Sequence, residues 1–148
     1  MMKPAVTMIL LAAAAGIAAG CAGSSAPVFN ADVKTIAPYS PSVRAGTTLY
    51  VSGQLGLDLQ TLELVGEDIE SQTKQVFANL QSVLANSGYT LDDVVQCTVY
   101  LKDIREFKKM NDLYASYFRA GKYPARVALE VANLPKNGRI EISAIAVK

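Results

Sequence analysis

Arg139-Ile140-Glu141-Ile142-Ser143-Ala144-Ile145-Ala146-Val147 alternates without a break. Ile140, Ile142, Ala144 and Ala146 fall on one face of an extended chain, and Arg139, Glu141, Ser143 and Ile145 on the other. A period of two predicts a strand with one face against a core. Pro135-Lys136-Asn137-Gly138 before it predicts a turn, and Ala125 to Val131, entered through Tyr123-Pro124, predicts another strand.

Further upstream the period changes. Between Asp68 and Ser87, residues Ile69, Val76, Leu80, Val83 and Leu84 recur at helical spacing, with Asp68 placed to cap the start and Gly88 to close the end. Asp103 to Phe118 predicts a second helix whose stripe of Phe107, Met110, Tyr114, Tyr117 and Phe118 reads as core packing. Thr90 to Leu101 predicts a strand approached through Asp92-Asp93. Thr48 to Ser52 predicts a strand, paired with Ser42-Val43-Arg44 through a turn at Ala45-Gly46. Leu55 to Val65 reads as an extended excursion with a hairpin at Leu59–Leu62.

The order of elements predicts an α+β layer pair, about six strands with two helices on one face. A chain of this length has no third layer, so the other face calls for self-association.

The chain has 148 residues, 51% hydrophobic, with a formal net charge of +1 and no histidine. Its size fits one domain. The missing histidine excludes Ser-His-Asp and Cys-His catalysis and HExxH zinc sites, and no cofactor is expected. The near-neutral charge argues against a nucleic-acid partner. Cys97, in the β-rich run Val94 to Leu101, reads as a buried structural thiol, because no histidine is present to activate it.

Residues 1–20 read as an export signal: Lys3, then an apolar run rich in alanine and glycine, ending Ala18-Ala19-Gly20-Cys21. This resembles a lipoprotein cleavage site and predicts lipidation of Cys21 and a membrane anchor, on the periplasmic face of the outer membrane in a Gram-negative source. Residues 21–30 then form the lipidated cysteine and its tether, and 31–148 the folded domain. Loss of residues 1–20 removes Lys3 and leaves 13 basic against 13 acidic side chains.

Several segments together resemble one family. They are Pro38-Tyr39-Ser40, Tyr50-Val51-Ser52-Gly53-Gln54, Thr98 to Asp103, Phe107 with Asn111, Tyr123-Pro124-Ala125-Arg126, Leu134-Pro135-Lys136 and Ile140 to Val147. The pattern is similar to that of the RidA/YjgF family of enamine/imine deaminases, over about residues 31–148. The resemblance implies a chorismate-mutase-like fold, a homotrimer with ligand clefts between subunits, and hydrolysis of 2-imino and enamine acids such as 2-iminopropanoate and 2-aminoacrylate.

By this resemblance Arg126 and Glu141 are the expected catalytic pair. Arg126 would hold a 2-imino or 2-keto acid carboxylate through paired charge-assisted bonds, and Glu141 would place the attacking water and move protons. Tyr39, Ser52, Gly53 and Asn111 are the expected remaining ligand-binding residues.

Departures from the pattern are Val127 and Ala128 after the arginine, Ser143 for a second glutamate, Pro41-Ser42, and Gly56 for proline. The loss of a pocket hydroxyl or thiol at Ala128 gives weight to an alternative, a tethered small-carboxylate-binding protein with little or no catalysis.

Overall fold

The computed structural model describes residues 26–31 and 33–148. The expected signal segment and Cys21 lie outside them. Among the described residues no helix is long and apolar enough to cross a membrane.

Six strands form one sheet: β1 (Val28–Asn30), β2 (Ser42–Ala45), β3 (Thr48–Leu55), β4 (Val94–Leu101), β5 (Ala125–Glu130) and β6 (Ile140–Val147). Their spatial order is β1-β2-β3-β6-β4-β5, antiparallel except for the parallel pair β4–β5. Two helices, α1 (Ile69–Asn86) and α2 (Phe107–Ser116), pack on one face. The expected α+β layer pair is therefore present. The sheet begins earlier than expected, because Val28–Asn30, at the end of the predicted tether, pair with β2 as a strand.

The alternation in β6 decides the layering. Ile140, Ile142, Ala144 and Ala146 are buried, and join Leu49, Val51, Cys97, Val99 and Leu101 beneath Val76, Phe77, Leu80, Leu84, Met110 and Tyr114 of the helices. α1 starts where Asp68 accepts the Ser71 amide at 2.8 Å, and ends at Gly88, whose φ of +77° a side chain would resist. Asn79 ties α1 to the end of β3 by donating to the Leu55 and Leu57 carbonyls at 3.0 and 2.8 Å. Gly56, where the family pattern has proline, lets the Gln72 backbone pass 2.8 Å from the site of a Cβ.

Three boundaries differ from expectation, two of them for local hydrogen-bonding reasons. The strand predicted from Thr90 starts at Val94, because Thr90 and Asp93 form a reciprocal capping box around a 3₁₀ turn, Leu91–Asp93. The helix predicted from Asp103 starts at Phe107, after a 3₁₀ turn over Ile104–Glu106 that Asp103 caps through the Arg105 amide. It also ends at Ser116 rather than Phe118. The Leu55–Val65 excursion does close on itself, through one antiparallel bridge between Leu57 and Leu64, with Asp58 accepting the Gln60 and Thr61 amides.

The face away from the helices is open. Along it lie Val43, Tyr50, Ile145, Val127 and Leu129, with Tyr50 50% and Val127 53% exposed.

Candidate active site

Glu141 stands on the open face of β6, between Ile140 and Ile142, which point into the core. Its partner across the sheet is the end of β3, where the register shifts between Val51 and Gln54 and leaves Gly53 on a bulge. A Cβ on Gly53 would lie 1.7 Å from Glu141 Oε1 and 2.6 Å from Cδ. The glutamate carboxylate thus occupies the space that a side chain at residue 53 would fill. Gly53, expected as a ligand-binding residue, thus has the Glu141 carboxylate against its backbone.

Glu141 and Gly53 line a cleft of about 300 Å³ with Tyr100, Asn133, Leu134 and Ser143. Among the described residues Glu141 is the only carboxylate lining that cleft, and the next position on the same face of its strand is Ser143. Its half-burial pushes its pKa above the ordinary glutamate value of 4.5. Tyr39 also feels that charge: burial first, and then the Glu141 carboxylate, raise the phenol's pKa and keep it a hydrogen-bond donor. Ser52 donates its hydroxyl proton to the Ser40 carbonyl at 2.7 Å, and its amide to Pro41 O at 3.0 Å. It thereby braces the loop that carries Tyr39.

Arg126 and Asn111 form a second cluster. Arg126 alternates with the exposed Ala125 and Val127 and turns toward the helix face, where Nη2 donates to Asn111 Oδ1 at 2.8 Å. Its guanidinium sits 4.4 Å from the Tyr114 ring centroid and 5.6 Å from that of Phe107. Among the described residues it makes no salt bridge. Ala128, next on the same face, packs against the main core and leaves this side apolar where the family pattern has a hydroxyl or thiol. Cys97 is buried beside this cluster, and burial raises its pKa, as expected for a structural thiol.

Tyr39, Ser52, Gly53 and Glu141 therefore come together, as do Arg126 and Asn111, but one chain does not unite the two groups. Arg126 is level with Cys97 and Ala144, and Glu141 with Tyr100 and Leu129. Two strand spacings and three residue rises put the two Cα atoms roughly 14 Å apart, with side chains on opposite faces.

The rings under Arg126 are not legible in the sequence as a platform, because Phe107 and Tyr114 read there as core residues. The signal was present in the spacing of Phe107, Asn111 and Tyr114, which share one helix face.

A larger cleft of about 920 Å³ lies elsewhere, near Lys102 and Arg139. It contains none of the expected site residues, and two of its cations are paired within it, Arg105 with Asp103 at 2.6 Å and Lys136 with Glu63 at 3.2 Å. Among the described residues no cluster of acidic or sulfur ligands could hold a metal ion.

Comparison with known proteins agrees with this architecture. The family model described as Endoribonuclease L-PSP matches residues 29–148. A RutC family protein of Pyrococcus horikoshii is 51% identical over 115 residues, covering 78% of this chain and 90% of its own. A Bos taurus protein named 2-iminobutanoate/2-iminopropanoate deaminase is 44% identical over 113 residues, covering 76% of this chain and 82% of its own. The crystal structure of YyfA from Yersinia pestis, of the conserved Rid protein family, has a TM-score of 0.78 and 37% identity, covering 83% of this chain and all of that one. The six-stranded sheet, its two helices and these relatives together establish that the chain belongs to the RidA/YjgF family.

Proposed function

We propose that this protein hydrolyses small, reactive 2-imino and enamine acids to 2-keto acids and ammonia, as a homotrimer whose sites form between copies. The observation that carries the reading is the seat of Glu141, a half-buried carboxylate held where Gly53 has no side chain, at the wall of a cleft. Arg126 supplies the second half, a guanidinium with no carboxylate partner among the described residues and donors left over after Asn111. Because the two stand on opposite faces, a small ligand meets both only if one copy supplies Arg126 and a neighbour supplies Glu141. The exposed apolar rows around Tyr50 and Val127 give copies a surface on which to associate. The bovine relative is named for this reaction.

The chemistry needs little more. Arg126 holds the substrate carboxylate and orients C2. Glu141, ionised, accepts a proton from a water as its oxygen attacks C2, giving a tetrahedral carbinolamine. Starting from the protonated imine, Glu141 returns that proton to nitrogen, then takes the carbinolamine hydroxyl proton as the C=O bond forms, the C–N bond breaks and ammonia leaves with its electron pair. Tyr39, kept protonated, donates a hydrogen bond near the reacting atoms. The exported, lipid-anchored placement expected from residues 1–21 belongs to this proposal, and would put the reaction outside the cytosol.

The test uses the protein without its first 21 residues, beside a dehydratase that generates 2-aminoacrylate from serine, with semicarbazide as the trap. Faster loss of trappable imine, strongly reduced but measurable in Arg126→Ala and in Glu141→Gln, is the expected result. A folded protein that binds 2-oxobutanoate saturably but leaves the imine lifetime unchanged would overturn the enzyme in favour of a carboxylate-binding protein.

A further inference from the structure

We propose that Tyr114 is a positioning residue whose ring, rather than its hydroxyl, aims the Arg126 guanidinium at the substrate carboxylate. This rests on the reading of Arg126 as the carboxylate anchor.

The argument starts from where Arg126 sits. β5 is the last strand of the sheet and pairs only with β4. An arginine there keeps most of its rotamer freedom unless something holds it. Two kinds of contact do so. Asn111 takes one Nη2 proton at 2.8 Å, and the guanidinium lies 4.4 Å from the Tyr114 centroid, with Phe107 a more distant second ring at 5.6 Å. A ring at that distance attracts a cation through its quadrupole and takes up none of its N–H donors. An acidic residue in the same place would fix the arginine as firmly, but would compete with the ligand. An aromatic support keeps the charge available.

Tyr114 is itself held by packing. It is buried, meets Phe77 edge-on at 5.6 Å and packs tilted on Phe118 at 4.9 Å. Its hydroxyl is buried beside the Cys97 thiol without a regular hydrogen bond. The hydroxyl makes no bond to the guanidinium, so what Tyr114 presents to Arg126 is its ring.

The experiment compares Tyr114→Phe, Tyr114→Leu and Phe107→Leu, with Arg126→Ala as the reference. It measures the Kd for 2-oxobutanoate by calorimetry, the turnover rate at saturating imine, and the thermal midpoint. Tyr114→Phe should stay within twofold of wild type in Kd. Tyr114→Leu should weaken binding about tenfold with turnover at saturation little changed, because an interaction equal in ground and transition states is lost. Phe107→Leu, at a less buried ring, should weaken binding by a smaller factor and tests the platform even if Tyr114→Leu does not fold. Wild-type Kd in both leucine variants, or equal losses in Tyr114→Phe and Tyr114→Leu, would overturn the inference. If Arg126→Ala also binds 2-oxobutanoate normally, the anchor reading has failed and the inference falls with it. A large loss in Arg126→Ala with none in the leucine variants refutes the platform alone.

Discussion

Gly53→Ala tests the site most directly, because it adds one methyl group at a known position. The new Cβ would sit 1.7 Å from Glu141 Oε1, whereas real contacts of this kind stay above 3.0 Å. The carboxylate must therefore retreat by at least about 1.3 Å. The backbone itself raises no objection, since Gly53 is not among the residues of positive φ. Alanine there should even gain a few tenths of a kcal/mol by restricting the unfolded chain, which offsets part of the cost of moving the half-buried side chain. Stability should thus change little while geometry changes much. Misplacing a reacting group by about 1 Å costs on the order of 10²-fold in rate, about 2.7 kcal/mol. The assay is imine loss under semicarbazide trapping, with thermal unfolding as the control. Because both changes act on one carboxylate, Gly53→Ala combined with Glu141→Gln should be no slower than Glu141→Gln alone. Wild-type activity in Gly53→Ala, or full additivity in the double variant, would refute the idea that Gly53 exists to seat Glu141.

Other tests address pH, assembly and packing. Burial raises the Glu141 pKa, so the acid limb of kcat/KM should lie above 4.5 and vanish with Glu141→Gln. The same shift makes the folded state bind the extra proton, so this glutamate's contribution to stability falls as pH rises from 4.5 through the raised value. Glu141→Gln should accordingly melt higher than wild type at neutral pH. Val127→Asp, on the open face, should lower the oligomeric state seen by light scattering and remove imine hydrolysis together, with the monomer still folded by circular dichroism. Phe77→Ala, which deletes a fully buried ring stacked 3.9 Å from Tyr117, should cost about 3–5 kcal/mol in denaturant unfolding.

What the amino-acid sequence alone determines here is local. Alternation in Ile140–Val147 and helical spacing in Ile69–Leu84 follow from the fixed periods of strand and helix, and each appears in the structure as read. Capping at Asp68 and Gly88 is equally local and equally legible. Boundaries such as Val94 and Phe107 were less so, because side chain to backbone bonds at Thr90, Asp93 and Asp103 competed with propensity over three residues.

The resemblance supplied candidate site residues, but their grouping in space was not legible. Nothing in the spacing of Arg126 and Glu141 says that a two-strand separation and opposite pleats divide them into two half-sites. Nor does it say that Glu141 takes the place of a Gly53 side chain, because that contact joins β3 to β6 across more than eighty residues. The stripe on α2 showed which residues share a face, while only the edge strand packed against it turned Tyr114 from a core residue into a platform for a cation. Periodicity is written along the chain and can be read there. The partner of each face is set by strand order and register, which exist only once the chain has folded.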